Sequence, residues 1–414
     1  MRSSSLWVRM LGVAEAVVES VDFDELAEAL IVSARPRKSA MNRCGRCGQR
    51  CSRYDGGEGR RRWRALDLGG LQAYVEADAP RVSCPEHGVI VAAVPWARHR
   101  AGHTRAFDDL AAWLVRYTSR STVKTFLRIA WRTVMAIVVR VMADLDAQAG
   151  DRLANVRRIG IDEISYKRGH KYLIVVVDHD TGRLLWAQEG RDKKTLMGFF
   201  DLLGEKGCRR IELVSADGAD WIADAVGLRC PQAELCMDPF HVVSWAVDAL
   251  DVVRRQVWNQ ARRAGQTGLA RGLRDCRFAL WKNPERLTAR QQNKLAFIQK
   301  TNRKLYRAYL LKEQLRQVFA PGGAERIVLL DAWLRWAARS RIEPFVDLAR
   351  RMRRYRDDIA HTLTHQLANA RVEGVNTRIR LLTRLAYGFK TATPLIALAM
   401  LHLGGYNVAL PGRA

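Results

Sequence analysis

The hydrophobic pattern between Arg158 and His241 changes period in an order that few folds accommodate. Ile159 to Ile164, Tyr172 to Val177 and Leu184 to Ala187 are short runs rich in β-branched or aromatic residues. Turn signals such as Asp180-Thr181-Gly182 separate them, which predicts three consecutive antiparallel strands. Leu196, Phe199, Phe200 and Leu203 then recur at helical spacing, and Ile211 to Ser215 returns to strand. Trp221 to Leu228 is helical again, and Ala233 to Met237 makes a fifth strand.

Strand, strand, strand, helix, strand, helix, strand is the outline of a ribonuclease-H-like α/β domain. The carboxylates fall where that outline gives them chemistry. Asp162 sits on the first strand, Asp217 follows the fourth, and Asp238 follows the fifth in Asp238-Pro239-Phe240-His241. In such a sheet the first and fourth strands are neighbours, so Asp162 and Asp217 meet. Like charges at short range raise one another's pKa, and a divalent cation removes the conflict. An oxygen-only ligand set suits magnesium or manganese, and two such ions are suited to in-line displacement at a phosphodiester. Glu163 neighbours Asp162, but strand alternation turns it to the opposite face.

The chain of 414 residues has room for two to four domains, and its net charge of +26 and pI of about 10.4 point to nucleic acid as the partner. The apolar run Val134 to Val139 is bounded by Arg132 and Arg140, which argues against a membrane span, and the N-terminal residues lack the apolar core of a signal peptide. Cys44-x-x-Cys47 is followed after 36 residues by Cys84-x-x-His87, the ligand spacing of a structural zinc ribbon, with Trp63 to Leu68 and Leu71 to Glu76 predicted as a hairpin between the pairs. Cys51 is a spare thiol able to replace His87. The remaining cysteines read as buried apolar residues, and a reducing cytoplasm fits all of them. From His103 to Leu145, three helical segments with a break at Thr118 to Ser121, Ser121 serving as cap, and with Arg128, Arg132 and Arg140 exposed, predict a helix-turn-helix. After His241 the pattern is helical for more than a hundred residues, interrupted by the break Pro321-Gly322-Gly323, after which Ile327 to Ala338 and Glu343 to Tyr355 give further helices. Arg254 to Arg316 carries seventeen Lys or Arg against three acids, with Arg254 and Arg255 leading the basic series. Its aromatics fit the core of a helical subdomain better than a base-stacking surface.

Gly160-Ile161-Asp162-Glu163-Ile164-Ser165, Asp217-Gly218, Asp238-Pro239-Phe240-His241 and Val372-Glu373-Gly374-Val375-Asn376, in this order, resemble the ISL-three family of bacterial insertion-sequence transposases, which use a DDE triad. The resemblance extends through the zinc-binding start. It implies a catalytic triad of Asp162, Asp217 and Glu373 holding two magnesium or manganese ions, with Asp238, His241 and Asn376 in support. Asp238 also follows a strand and is the alternative second acid. Glu373 is separated from Asp217 by 155 intervening residues, so a helical insertion must return it to the sheet. Asn369, Asn376 and Arg380 share its helical face, which would bring Arg380 to DNA, and Gly374 beside it is read as a point of close backbone approach. The resulting organisation is a zinc-ribbon domain (1–100), a helix-turn-helix region (101–150), the first part of the catalytic core (151–241), a basic all-α insertion (242–360) and a catalytic helix with tail (361–414). Double-stranded DNA is the expected partner, as transposon ends and target, with a homodimer or higher assembly on it, in the bacterial cytoplasm at the nucleoid. A transposase-derived DNA-binding protein that no longer cuts, and a structure-selective nuclease on the same fold, are the rival readings.

Overall fold

The computed structural model describes residues 3–320, 322, 325–408 and 410–412; of the expected break at Pro321 to Gly323, Pro321 and Gly323 lie outside them. The chain divides into two compact units, one of Met1–Gly150 with Leu382–Ala414 and one of Asp151–Leu381.

The second unit is built on a five-stranded sheet. Its strands are Arg158–Lys167, Lys171–Asp178, Leu184–Glu189, Leu213–Ala216 and Glu234–Met237, in spatial order third, second, first, fourth, fifth. The first three are antiparallel, and the fourth lies parallel between the first and the fifth. Val175, Val176 and Val177 are fully buried, as a run apolar on both faces requires. Helices Lys193–Arg210 and Asp220–Arg229 pack on the sheet through Leu196, Phe199, Phe200, Ile222 and Val226, which join Ile159, Ile161 and Val214 in one core. A second core is all-helical. It is assembled from the Pro239–Arg263 helix and the helices that follow it, through residues from Val242 to Leu363. Of the aromatics interleaved with the basic series, Tyr309 is buried and Trp258, Trp281 and Tyr306 pack against this core, whereas Phe278 is exposed. The helix Ala370–Leu385 then returns to the sheet.

In the first unit, strands Ser52–Asp55, Arg81–Cys84 and Gly88–Val91 form the ribbon sheet. The hairpin expected between the cysteine pairs is not part of it. Arg60–Arg64 and Gln72–Asp78 pair antiparallel, but they join a separate four-stranded sheet with Ala16–Asp24 and Ala29–Pro36. The physical reason is burial: Trp63, Ala73 and Val75 find their apolar partners in Val32, Ala34 and Trp96 rather than at a small metal knuckle. Helices Arg105–Tyr117, Arg120–Leu127 and Trp131–Gln148 follow. Thr104 and Ser119 cap the first two, so the cap of the second is Ser119 and not Ser121.

The segment 361–414, read as one catalytic helix and tail, is divided by the structure. Helix Ala392–Leu403 and its following residues pack among the three helices, with Leu398, Leu401, Tyr406 and Val408 in the same core as Phe107, Val123 and Val138. Arg120, buried, is held 4.8 Å from the ring centroids of both Trp131 and Phe389, and donates to the carbonyl of Leu382 at 3.1 Å. Burial brings its pKa down to about 10. A cation costs more in such a site than an apolar residue does, and the two aromatic faces with the carbonyl offset that cost.

Candidate active site and nucleic-acid-binding modules

Strand register sets out the acids. Ser215 of the fourth strand pairs with Gly160 of the first and with Cys236 of the fifth. Two residues further along the chain from each lie Asp162, Asp217 and Asp238, so three carboxylates form a row across three adjacent parallel strands, Asp162 within the first and Asp217 and Asp238 just past the C-terminal ends of the fourth and fifth. In open α/β sheets this edge is where ligands bind. Burial, with repulsion from Asp217 and Asp238, raises Asp162 to about pKa 6 against the help of an amide bond from Glu163 at 2.7 Å and the attraction of His241.

The other two members of the row differ in what engages them. Asp238 is buried and caps the Pro239–Arg263 helix, with Pro239 at its first turn. Its second oxygen meets His241 Nδ1 at 2.9 Å, and that bond raises the pKa of His241. Asp217 is partly buried and accepts only a longer bond, from the amide of Ala219 at 3.3 Å, among the described residues. Glu163 pairs with Arg191, and Asp217 and Asp162 add to the burial that raises its pKa. It therefore feels the acid cluster that strand alternation was expected to turn it away from.

The late helix docks by contacts that the sequence reading missed. A Cβ on Gly160 would lie 2.3 Å from Val372 Cγ2, so only glycine lets this helix approach the first strand. His179 Nε2 lies 2.6 Å from Ser215 Oγ, which donates to Asn369 Oδ1, and all three residues are buried. Burial brings the pKa of His179 down to about 4, which leaves its ring neutral and able to donate to the serine. Arg371 donates to the carbonyls of His179 and Asp180. Asn376 Nδ2 donates to Asp162 Oδ2 at 2.7 Å, while Asn376 Oδ1 is buried with no hydrogen-bond partner among the described residues. Glu373 sits one turn before Asn376 with its side chain exposed, at the edge of the face that carries Asn369 and Asn376. Gly374, expected to permit close approach, has open space where its Cβ would be. Of these features, Asn369 and Asn376 leave a trace in the sequence by sharing the helical face of Glu373, and Gly160 as a glycine inside an apolar strand.

A second cluster lies in the ribbon. The ligand atoms of Cys44, Cys47, Cys84 and His87 fall within 4.8 Å of one another. Burial pushes the Cys84 thiol up, but bonds from the His87 ring, the amides of His87 and Glu86, and Cys44 bring it down to about 6, the direction a metal-bound thiolate needs. Cys51 is not one of these four; its thiol bonds to the Gln49 carbonyl at 3.3 Å, and burial with the neighbouring Cys84 and Cys44 raises its pKa.

Residues 159–399 match the DDE-type ISL3 family profile described as a transposase. The chain belongs to the ISL3 transposase family. Residues 41–87 match the zinc finger of IS204, IS1001, IS1096 and IS1165 transposases, and residues 92–142 match the helix-turn-helix domain of the ISL3 family. The chain is 53% identical to the transposase for insertion sequence element IS1557 from Mycobacterium tuberculosis, across 100% of this chain and 98% of that one. It is 26% identical to the transposase for IS1001 from Bordetella parapertussis, over 90% of this chain and 91% of that one. It is therefore a DNA-binding transposase, built from a zinc ribbon, a helix-turn-helix and a DDE transposase domain.

The arginines singled out for DNA have different fates in this ISL3 transposase. Arg132 is exposed at the start of the third helix of the helix-turn-helix, and Arg255 and Arg380 are exposed in the second unit, Arg255 in an ion pair with Asp251 at 3.2 Å. Arg128 ends the second helix in a left-handed conformation and is tied to Asp67 and to the Gly70 carbonyl. Arg140 is not free but pairs with buried Asp108, and Arg254 bonds to Asp251 at 2.8 Å. All three are engaged in ion pairs with these acids. Among the described residues, no helix is long and apolar enough to cross a membrane.

Proposed function

We propose that this transposase binds the terminal inverted repeats of its insertion sequence, cuts a strand at each end and joins the freed end to target DNA. Asp162, Asp217 and Glu373 are its catalytic acids on a ribonuclease-H-like sheet; Asp238, His241 and Asn376 support them. The observation that carries this reading is the row Asp162, Asp217, Asp238, with Asn376 bonded to Asp162 from the helix that bears Glu373.

The donor set fits magnesium or manganese. It offers oxygens only, it includes a carboxylate whose raised pKa marks a shortage of positive charge, and the unpartnered Asn376 Oδ1 adds a further acceptor. Held by Asp162, Asp217 and Glu373, two such ions would supply the charge that favours deprotonation of the attacking oxygen and stabilises the leaving one. Asn376 holds Asp162 in orientation, and Asp238 holds His241 beside the acids. Water attacks the phosphorus at the element's end and the 3′ oxygen leaves. That 3′ hydroxyl then attacks a target phosphodiester, so one P–O bond forms as one breaks and no covalent protein intermediate arises.

Zinc is held by Cys44, Cys47, Cys84 and His87, with Cys51 outside the set. The ribbon and the helix-turn-helix read the ends, with Arg132 at the groove, while Arg255 and Arg380 meet backbone phosphates. The assembly is a dimer or larger on double-stranded DNA, because two ends must be joined, in a bacterial cytoplasm at the nucleoid. The test is cleavage of labelled DNA carrying the element's ends with magnesium, with calcium, and with the Asp217→Asn and Asp238→Asn variants. Magnesium-dependent cutting lost with Asp217→Asn supports the reading. Cutting that survives Asp217→Asn but not Asp238→Asn moves the second acid to Asp238, and binding without cutting by the wild type refutes catalysis.

A further inference from the structure

Beside the zinc knuckle the first unit holds a cleft of ≈ 310 Å³ lined by Gly45, Arg61, Trp63, His99, Arg100 and Arg105 among others, with no carboxylate among the described residues that line it. Its cations are not equivalent. Arg105 and the adjoining Arg98 are neutralised by Asp144, with Asp108 and Asp109 also on Arg98, and Arg81 is neutralised by Asp55. Arg61 and Arg100 form no ion pair among the described residues. Arg61 lies 5.4 Å from the Trp63 ring centroid and donates to the Ala101 carbonyl at 3.0 Å, which fixes its guanidinium at the wall. Arg100 is exposed and is presented by a left-handed turn at φ 58, closed by the bond from the Ala101 amide to the Arg98 carbonyl. The pKa of His99 is lowered by burial and by Arg100, Arg46 and Arg61. The positive potential here is therefore left without internal compensation.

The position of the cleft suggests a use. A Cβ on Gly45, between ligands Cys44 and Cys47, would lie 2.7 Å from His99 Nδ1 and 2.6 Å from the Val91 carbonyl, so the knuckle and the turn carrying Arg100 are packed in direct contact. Four residues after Arg100, Thr104 caps the first helix of the helix-turn-helix. An anion held here would touch the stretch that joins the two DNA-reading modules. We propose that Arg61 and Arg100 together clasp one phosphate of the DNA backbone in this cleft, setting the ribbon and the helix-turn-helix in fixed register on the duplex. The proposal rests on the DNA-binding reading of those modules, and its chemistry is that of paired guanidinium groups on a phosphate oxyanion.

The test uses the full-length, zinc-loaded chain. Binding to a duplex carrying the element's end and to a scrambled duplex is followed by fluorescence anisotropy across a salt series, for wild type, Arg61→Gln, Arg100→Asn and the double variant. Asparagine tolerates the left-handed turn, so Arg100→Asn keeps the test alive if Arg61→Gln loses zinc or circular dichroism. One shared phosphate predicts that the slope of log K against log salt falls by about 0.9 in the double variant, no more than in the stronger single, and equally on both duplexes. The affinity deficit at 50 mM salt is then about 3–4-fold larger than at 200 mM. A slope unchanged in the double variant overturns the proposal. So does a fall of about 1.8, which would mean two separate phosphates. Inorganic phosphate added at constant ionic strength separates the sources: phosphorus-31 line broadening lost in the double variant, with the DNA slope unchanged, makes the cleft a free-phosphate site and overturns the claim for DNA. Failure of wild type to prefer the element's end over the scrambled duplex would count against the proposed function, and the slope comparison would still judge the cleft.

Discussion

Asp162→Asn should make the protein more stable while abolishing cleavage. Burial and repulsion from Asp217 and Asp238 raise the Asp162 pKa from the ordinary 3.8 to about 6. At about 1.4 kcal/mol per unit, ionising this group in the folded chain costs about 3 kcal/mol at neutral pH, as a ceiling for a partly exposed site. The sign follows from proton binding. Below about pH 4 the acid is neutral folded and unfolded, and substitution changes little. Between about pH 4 and 6 the unfolded chain releases the proton first, so wild type loses stability as pH rises, and above that range the loss is constant. Asparagine escapes it and keeps its bonds. Its Oδ1 can accept from the Glu163 amide as Asp162 Oδ1 does, and rotation of the Asn376 amide presents the unpartnered Asn376 Oδ1 to the new Nδ2. For a unit of this size about 3 kcal/mol corresponds to roughly 6–12 °C in melting temperature. The assay is thermal melting of zinc-loaded protein without magnesium, at pH 4 and pH 7, for wild type and variant. The variant should melt with wild type at pH 4 and several degrees above it at pH 7, and added magnesium should narrow the gap by binding wild type alone. A variant that melts below wild type at pH 7, or a gap independent of pH, refutes the argument.

Gly160→Ala should cost about 1–3 kcal/mol through overpacking against Val372, and should abolish cleavage while binding of the element's ends is retained; gel shift and cleavage on the same DNA read both. Cys84→Ser should lower the zinc content of purified protein, measured by metal analysis, and weaken DNA binding, while the melting of the Asp151–Leu381 unit stays as in wild type. Deleting residues 392–414 removes Leu398, Leu401, Tyr406 and Val408 from the core around the helix-turn-helix. That is about 5–10 kcal/mol of apolar burial, comparable to a whole domain's stability. The truncated chain should lose DNA binding in gel shift and show protease-sensitive helices between 105 and 148.

Much of the catalytic sheet was legible because its signals are local. Apolar runs of strand length, turn residues between them and carboxylates at their ends need no distant partner to be read. The docking of the late helix was not legible, because the requirement at Gly160 depends on Val372, which arrives from more than two hundred positions away. The same reasoning misled at Gly374, where a helical glycine suggested close approach and the structure leaves open space. The ion pairs of Arg128, Arg140 and Arg254 with Asp67, Asp108 and Asp251 were not legible, because charge alone does not show which acid an arginine meets. Helix Ala392–Leu403 was read only as part of a tail behind the catalytic helix, because nothing in its own residues names the helices between 105 and 148 as its partners.

That last pairing orders events at the ribosome. The helix-turn-helix leaves the exit tunnel early, yet the apolar residues that close its core are translated only after the whole of Asp151–Leu381. At ~5–20 residues per second, synthesis of Asp151–Leu381 alone takes about 10–50 s. Through that interval the nascent chain can build its acid-bearing sheet while its DNA-reading core stays open. The core of the DNA-binding helices therefore closes only after the acid-bearing unit has been made. A gene copy interrupted by a late stop codon yields a product that keeps every acid of the row yet cannot occupy the ends that intact copies need.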